Sequence, residues 1–247
     1  MFFAIGIASW FATVVLLAWL GGQALGPGAG PAAALVVLLC GCAAVACLAP
    51  FFGSAQDGAR PIYSMVRALL KTLGLAAATV LAAGFAGVLL GTMPPVAWLL
   101  KTAAILAGFA ALLAGVHTAA ARLAGGLAGQ LVAYLVAALM LGTVFYANPM
   151  IAVARGDAKA AAIQSAITAN PLVCVAGAAA DHDVFLSRRA PMSLYNSSLI
   201  GPDHLYHYPR WWVVCVLYAA VGLAFGLVAS KLSRQPRGRC QCKEASG

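Results

Sequence analysis

Six long apolar runs, almost free of charge, limit the fold of this chain more than any other feature of its sequence. The runs cover approximately these residues: 2–20, 32–52, 72–90, 96–116, 127–146 and 211–230. A helix needs about 20 apolar residues to cross a hydrocarbon core about 30 Å thick, and each run has roughly that length. Charged residues make up 9% of the chain, against about 25% in soluble domains, so the bilayer is the expected solvent for most of it.

The runs are expected to form helices. A backbone that crosses lipid must satisfy its own hydrogen bonds, which leaves helices or closed barrels. These runs are continuous and rich in Ala, Leu, Gly and Val, without the alternation of barrel strands. The first run has no basic residue before it and is long for the core of a signal peptide, so we expect a retained span. The sequence therefore predicts an all-α polytopic membrane protein, with one transmembrane domain over residues 1–247 and six transmembrane helices.

The positive charges predict the orientation of these spans. An even number of spans places both termini on one side, and the Lys and Arg residues of the loops and tail on that side are Arg60, Arg67, Lys71, Arg122, Lys231, Arg234, Arg237, Arg239 and Lys243. The short loops on the other side contain only Lys101. Since cytoplasmic loops are enriched in Lys and Arg, we expect both termini and the tail, residues 231–247, inside the cell, with the chain in the plasma (inner) membrane. A net charge of +9 spread in this way predicts no nucleic-acid partner.

The longest hydrophilic stretch, residues 148–210, lies between the fifth and sixth runs and is therefore expected outside. Residues 150–169 are amphipathic, Asn170 and Pro171 break the helix, and residues 171–180 are apolar but too short to cross the membrane. This order is typical of a re-entrant helical hairpin that dips into the outer leaflet and packs against protein. An amphipathic segment that lies flat on the interface is the alternative.

The outer stretch also contains imidazole and carboxylate groups, which are good ligands for divalent metals. They are Asp181, His182, Asp183, Asp203, His204 and His207. Their spacing matches no metal motif, and Arg188 and Arg189 lie between them, so we expect a solvated loop without a metal. The spans contain almost no ionisable residue, and His117 is expected at the end of the fourth span, in a short loop over residues 117–126. The sequence predicts no catalytic residue, cofactor site or metal site, and the chain is not expected to be an enzyme.

The first charged loop, residues 53–71, predicts a short interfacial helix before the third span. Pro61 suits the first turn of a helix, and apolar residues recur after it at helical spacing. Arg60, Tyr63 and Arg67 can share one exposed face of that helix. Either this face binds a partner protein, or its cations and tyrosine anchor the helix at the inner membrane surface.

This arrangement resembles the membrane subunit of ABC-2 type (type V) exporters. That family has six spans with both termini inside, a cytoplasmic helical loop between spans two and three, and a re-entrant helical hairpin between spans five and six. Those parts correspond here to residues 53–71 and 148–180. Gln56-Asp57-Gly58-Ala59 stands where the family often has a Glu-x-Gly-Thr-like stretch. In architecture, the resemblance covers nearly the whole chain.

The resemblance implies a permease subunit that works with a separate ATP-binding subunit. That ATPase subunit would dock on the loop that carries Arg60, Tyr63 and Arg67, and this chain would hydrolyse no ATP itself. A homodimer, or a heterodimer with another membrane subunit, is also implied, and small residues on the spans allow the close helix packing that it needs. The alternative is a non-catalytic integral subunit of a larger complex whose outer loop binds a partner protein. A co-purifying nucleotide-binding protein distinguishes the two.

Overall fold

Helices make up nearly all of the described part of the chain, and that part contains no strand. The computed structural model describes residues 8–16, 20, 30–52, 61–91, 93–180 and 208–232. The helices are α1 (8–16), α2 (Gly30–Phe52), α3 (Pro61–Leu89), α4 (Val96–Ala124), α5 (Gly126–Leu141), α6 (Thr143–Tyr146), α7 (Asn148–Val153), α8 (Gly156–Ala169), α9 (Pro171–Ala180) and α10 (Trp211–Leu232). For these residues the all-α prediction is confirmed.

Helix α4 forms the centre of the bundle. It packs most extensively against α10 and also contacts α2, α3, α5 and α9. Its buried apolar side chains include Leu106, Leu112 and Ala114, which by helical position lie on different sides of the helix. A helix that is apolar all round is buried by its neighbours. Helix α10, by contrast, leaves apolar side chains such as Leu223 and Leu227 exposed, as expected for a helix that faces lipid.

Three helical segments are long and apolar enough to cross a membrane: Met65–Leu89 within α3, Val96–Ala124, which is α4, and Trp211–Lys231 within α10. Helices α8 and α9 together pass the same criterion as one bent pair. The apolar segments Ala34–Ala49 of α2 and Gly126–Leu141, which is α5, are shorter. These helices indicate an integral, multi-pass membrane protein. The count of six spans and the orientation in the membrane stay predictions.

Helices α4 and α10 lie in direct backbone contact and run in the same direction. A Cβ atom added to Gly108 would lie 2.8 Å from the carbonyl oxygen of Cys215, and one added to Gly115 would overlap the backbone of Gly222. The contact advances by seven residues along each helix, so the two helices are parallel. Small residues permit such close approach between membrane helices, and here the contact joins two helices of one chain.

The structure corrects the predicted end of the fourth span. Helix α4 continues to Ala124, so the predicted loop over residues 117–126 is reduced to Gly125, whose φ of +94° favours glycine. His117 lies inside the helix, with 1% of its surface exposed. The loop assignment was wrong because the Ala-rich sequence after His117 is favourable for a helix. One ionisable side chain, that of His117, therefore lies inside a long apolar helix.

The short helix expected to lead into the third span is continuous with it in α3. Two other stretches are divided into more helices than expected. The stretch 127–146 is divided between α5 and α6 at Gly142. The amphipathic stretch 150–169 is divided between α7 and α8 at Ala154 and Arg155, where the backbone is extended.

Candidate functional site

The chain bends by 83° where α8 ends and α9 begins. Helix α8 stops at Ala169, Asn170 has an extended backbone, and α9 starts at Pro171. Proline has no N–H group and cannot continue the hydrogen bonds of α8, but it fits the first position of a new helix. The break therefore lies at the two residues, Asn170 and Pro171, at which the sequence predicts it.

The side chain of Asn170 joins three helix ends at this bend. Its Nδ2 group donates a hydrogen bond of 2.7 Å to the carbonyl oxygen of Leu141, the last residue of α5. Its Oδ1 atom accepts hydrogen bonds from the backbone N–H groups of Leu172 and Val173, at 3.0 and 3.2 Å, and so caps α9. Only 1% of Asn170 is exposed. The amide supplies a donor and an acceptor at once, which an apolar side chain of similar size cannot do.

The last carbonyl groups of α8 receive hydrogen bonds from other helices. The last carbonyls of a helix lack the partner four residues on that its interior carbonyls have, although here the N–H of Asn170 bonds to the carbonyl oxygen of Ile167. The hydroxyl of Thr143 lies between two carbonyl oxygens, that of Ala166 at 3.0 Å and that of Met140 at 2.9 Å, and shares its one proton between them. The hydroxyl of Tyr218 donates to the carbonyl oxygen of Thr168 at 2.9 Å. The thiol of Cys174 donates to the carbonyl oxygen of Ile167 at 3.3 Å. A helix can therefore end inside the apolar bundle without leaving buried carbonyl groups unsatisfied.

The bend lies near the middle of the bundle and not at its surface. The thiol of Cys42, halfway along α2, lies 3.8 Å from the carbonyl oxygen of Pro171. Tyr218, which bonds to the end of α8, packs against Phe109 with ring centroids 6.1 Å apart. Phe109 is close to the midpoint of α4. The junction of α8 and α9 is therefore at the depth of the centres of α2 and α4.

A groove of about 810 Å³ runs from this bend along α4, between α5 and α10. We call it the lateral groove; it is lined, among others, by Val116, Leu123, Val132, Thr168, Val221 and Val228. Its polar lining residues are three side chains of α8 (Gln164, Ser165 and Thr168) and Tyr218, all near the bend. No charged residue of the described chain lines it. Leu123 and Val228 are each more than half exposed, so the groove is open to the side.

Two of the predicted docking residues lie at the start of α3, the end that is farther from the turn between α3 and α4. Tyr63 and Arg67 are in the first two turns of α3, four residues apart, and both are exposed. Arg60 lies outside the described residues. The structure thus brings Tyr63 and Arg67 to one face of a helix and leaves their function as a prediction.

Two polar side chains of α4 are buried without a hydrogen-bond partner among the residues that the structure describes. They are Thr102, through its hydroxyl, and His117, through both ring nitrogens. By helical position, both lie on the side of α4 that faces away from Gly108 and Gly115, and so away from α10. An ionisable residue inside a membrane helix often has a function. No group of three or more His, Cys, Asp or Glu residues in the described ranges could hold a metal.

The hydrogen-bond partners of Asn170 and of the end of α8 on other helices were not found from the sequence. Leu141, Thr143 and Tyr218 lie in apolar runs or beside them, and no local pattern marks them as hydrogen-bond partners of α8 and α9. The outer histidines, for which no metal is expected, lie outside the described residues. These are His182, His204 and His207.

The fold and the bend define a multi-pass helical membrane protein with a broken helix pair inside its bundle. No protein-family model, curated protein or solved structure matches the chain. Its function is therefore inferred from the directions of the helices and from the residues at their ends.

Proposed function

We propose that the chain is the membrane-spanning permease subunit of an ABC-type exporter and works with a separate ATPase subunit. The helix order supports this proposal: a broken helix pair, α8 and α9, lies between the fifth and the last of the long apolar elements. In the proposal, α8 and α9 form a re-entrant hairpin, and six elements cross the membrane. The observation that carries it is the parallel direction of α4 and α10.

The parallel direction limits the number of crossings between these two helices. Two parallel spans must be separated by an odd number of crossings. The path from α5 to α7 starts at the end of α4 and contains 28 residues, 126–153, enough to cross a core about 30 Å thick. If that path crosses once, then α8 and α9 must return to the face that they entered. Residues 181–210 offer no apolar run for a further crossing.

The contacts of α8 and α9 favour such a return. Helix α8 begins beside the exposed residues Arg155 and Asp157, which suit a polar surface, and it reaches the middle of the bundle at Asn170. Helix α9 then leads back towards the start of α10, because Gly177 lies directly against the ring of Tyr208, three residues before α10. Both arms of the pair therefore extend from the bend towards the same end of the bundle.

The cations support a docking face at the opposite end. Gly226, near the end of α10, contacts Met65 in the second turn of α3, so α3 starts where α4 and α10 finish. Arg67, Arg122 and Lys231 thus belong to the same end of the bundle. Cytoplasmic ends of membrane helices are enriched in such cations. This end is the cytoplasmic one in our proposal, and the first turns of α3 meet the ATPase subunit there.

The proposal is tested by reversing two charges at once, Arg60→Glu with Arg67→Glu. We expect the variant to insert and dimerise but to lose its co-purifying ATPase and the ATP hydrolysis measured on the complex. The matched control reverses two cations at the other end of the bundle, Arg155→Glu with Lys159→Glu, and should keep both. Co-purification is measured from native membranes by mass spectrometry of the purified complex.

Two results would contradict the proposal. If the purified wild-type complex contains no nucleotide-binding protein, the chain is instead a non-catalytic subunit of another membrane complex. If Arg60→Glu with Arg67→Glu only reduces the amount of inserted protein, the two arginines anchor α3 at the membrane surface and do not dock a partner.

A further inference from the structure

Two cysteine side chains from different helices meet at the first turn of α9. The thiol of Cys42, from α2, lies 3.8 Å from the carbonyl oxygen of Pro171. Cys174 is three residues after Pro171, so the two residues share one face of α9. Its thiol reaches back to the bend, where it lies 3.3 Å from the carbonyl oxygen of Ile167 and 3.6 Å from that of Thr168. Among the described cysteines, Cys174 is also the one that interacts most strongly with Cys42. Two free thiols therefore lie beside the same helical turn.

The thiol pair is enclosed by protein. The exposed fraction of the side chain is 0% for Cys42 and 3% for Cys174. The hydroxyl of Tyr218, from α10, is within hydrogen-bonding distance of the Cys174 thiol. Tyr218 also lines the lateral groove at its inner end. The two thiols therefore lie behind that end of the groove, near the middle of the bundle.

The backbone around the bend does not need the two thiol protons. The carbonyl oxygen of Ile167 also accepts a hydrogen bond from the N–H of Asn170, at 3.2 Å. That of Thr168 accepts one from the hydroxyl of Tyr218, at 2.9 Å. The carbonyl of Pro171, in the first turn of α9, is bonded within the helix itself. Both thiols can therefore lose their protons without leaving a buried carbonyl group unsatisfied.

We propose that Cys42 and Cys174 form a two-thiol site for a divalent, thiophilic metal ion that takes two ligands in a line, of which Hg(II) is the simplest case. Thiolate ligands select soft metal ions. The ion forms two metal–sulfur bonds and displaces both thiol protons, which are released to the solvent. Two thiolates and one divalent ion make a neutral complex, and a net charge inside an apolar bundle would be costly.

The number of ligands favours such an ion over one that needs four, such as Zn(II). Within the described ranges, no group of three or more His, Cys, Asp or Glu residues could hold a metal. The two cysteines belong to different helices, so no local spacing in the sequence predicts the pair. The site depends on the packing of α2 against α9 and not on the exporter function.

The test measures the mercury that the full-length protein retains, in a background without the tail thiols (Cys240→Ser with Cys242→Ser). The purified protein is mixed with one equivalent of HgCl₂ and separated by gel filtration in glutathione, which removes mercury held by one cysteine. Two thiolates of one site hold the ion more tightly than two separate thiols do, because the second bond is intramolecular. Elemental analysis should find one mercury ion per chain, and Cys42→Ser or Cys174→Ser should abolish its retention.

Two other cysteines provide matched controls. Cys40 is two residues before Cys42 and does not face the same way on α2, and Cys215 lies where α10 touches Gly108. Cys40→Ser and Cys215→Ser should retain the full amount of mercury. Serine keeps a hydrogen-bond donor at each position, so all four variants should fold, which thermal unfolding without mercury checks.

A second measurement needs no substitution in the bundle. An ion that joins α2 to α9 stabilises the folded state, so one equivalent of HgCl₂ should raise the midpoint of thermal unfolding of the background protein. Methylmercury chloride, which binds a single thiol and cannot join two, should not raise it.

Three results would overturn the proposal. The first is a background protein that retains no mercury. The second is full retention by Cys42→Ser or Cys174→Ser, which would show an adventitious ion only, bound through one thiol. The third is a loss with Cys40→Ser or Cys215→Ser as large as that with Cys42→Ser.

Discussion

Replacing Asn170 by leucine keeps the size of the side chain and removes the three hydrogen bonds at the meeting point of α5, α8 and α9. The carbonyl of Leu141 and the N–H groups of Leu172 and Val173 would lose their partner in a site where Asn170 is 1% exposed. Water cannot readily replace it there. We therefore expect a loss of stability rather than a change of local side-chain packing.

The size of the loss follows from the number of bonds. Hydrogen bonds between membrane helices contribute about 0.6 kcal/mol on average and about 1.7 kcal/mol at most. Three bonds therefore correspond to about 2–5 kcal/mol. In a protein of 247 residues, about 1 kcal/mol lowers the midpoint of thermal unfolding by about 2–4 °C. The expected decrease for Asn170→Leu is thus about 4–20 °C.

The assay is thermal unfolding in detergent, followed by circular dichroism, and the chain offers a matched control. Asn148 also precedes a proline at the start of a helix, but it is only half-buried. Asn148→Leu should therefore be clearly milder. Asn170→Asp should lose the bond to Leu141 but keep the cap of α9, and so lie between wild type and Asn170→Leu. Equal midpoints for Asn170→Leu and Asn148→Leu would refute the assigned role of the Asn170 amide.

Three further predictions concern packing, orientation and the outer segment. Gly115→Ala should destabilise the protein by about 1–3 kcal/mol, because the new methyl group would push α4 away from α10. Gly126→Ala is the control, since no atom lies within 4 Å of the added methyl group. The midpoints of thermal unfolding of the two variants are compared. A membrane-impermeant thiol reagent on intact cells should label Asn196→Cys and leave Cys240 and Cys242 unmodified, and the opposite pattern would invert the orientation. The outer histidines should hold no metal. Elemental analysis should therefore give the same metal content, without a stoichiometric loss, when His182, His204 and His207 are replaced together by alanine.

The sequence predicted the elements of this fold better than their connections. Long apolar runs and the Asn170-Pro171 dipeptide are local signals, so the helices and the break could be predicted from them. The hydrogen bond from Asn170 to the Leu141 carbonyl joins residues 29 positions apart, and no local sequence pattern predicts it. Tyr218 lies within the sixth apolar run, and nothing in the sequence shows that its hydroxyl bonds to the end of α8.

The errors at the end of the fourth span have a physical cause of the same kind. His117 and Arg122 are polar, and polarity suggested a loop, whereas the alanines between them favour a helix. A helix buried by α2, α3 and α10 can keep a histidine in its interior, and sequence alone does not show which neighbours bury it. The small residues of the spans were related to packing in a dimer, whereas the structure shows Gly108 and Gly115 packed against α10 of the same chain.

The bond between Asn170 and Leu141 has a consequence for biosynthesis. The ribosome must add 29 residues after Leu141 before the amide that completes the end of α5 exists. At about 5–20 residues per second, this takes about 1.5–6 s. The end of α5 therefore receives this bond only after residues 142–170 have been made, and α5 cannot be completed from its own residues alone.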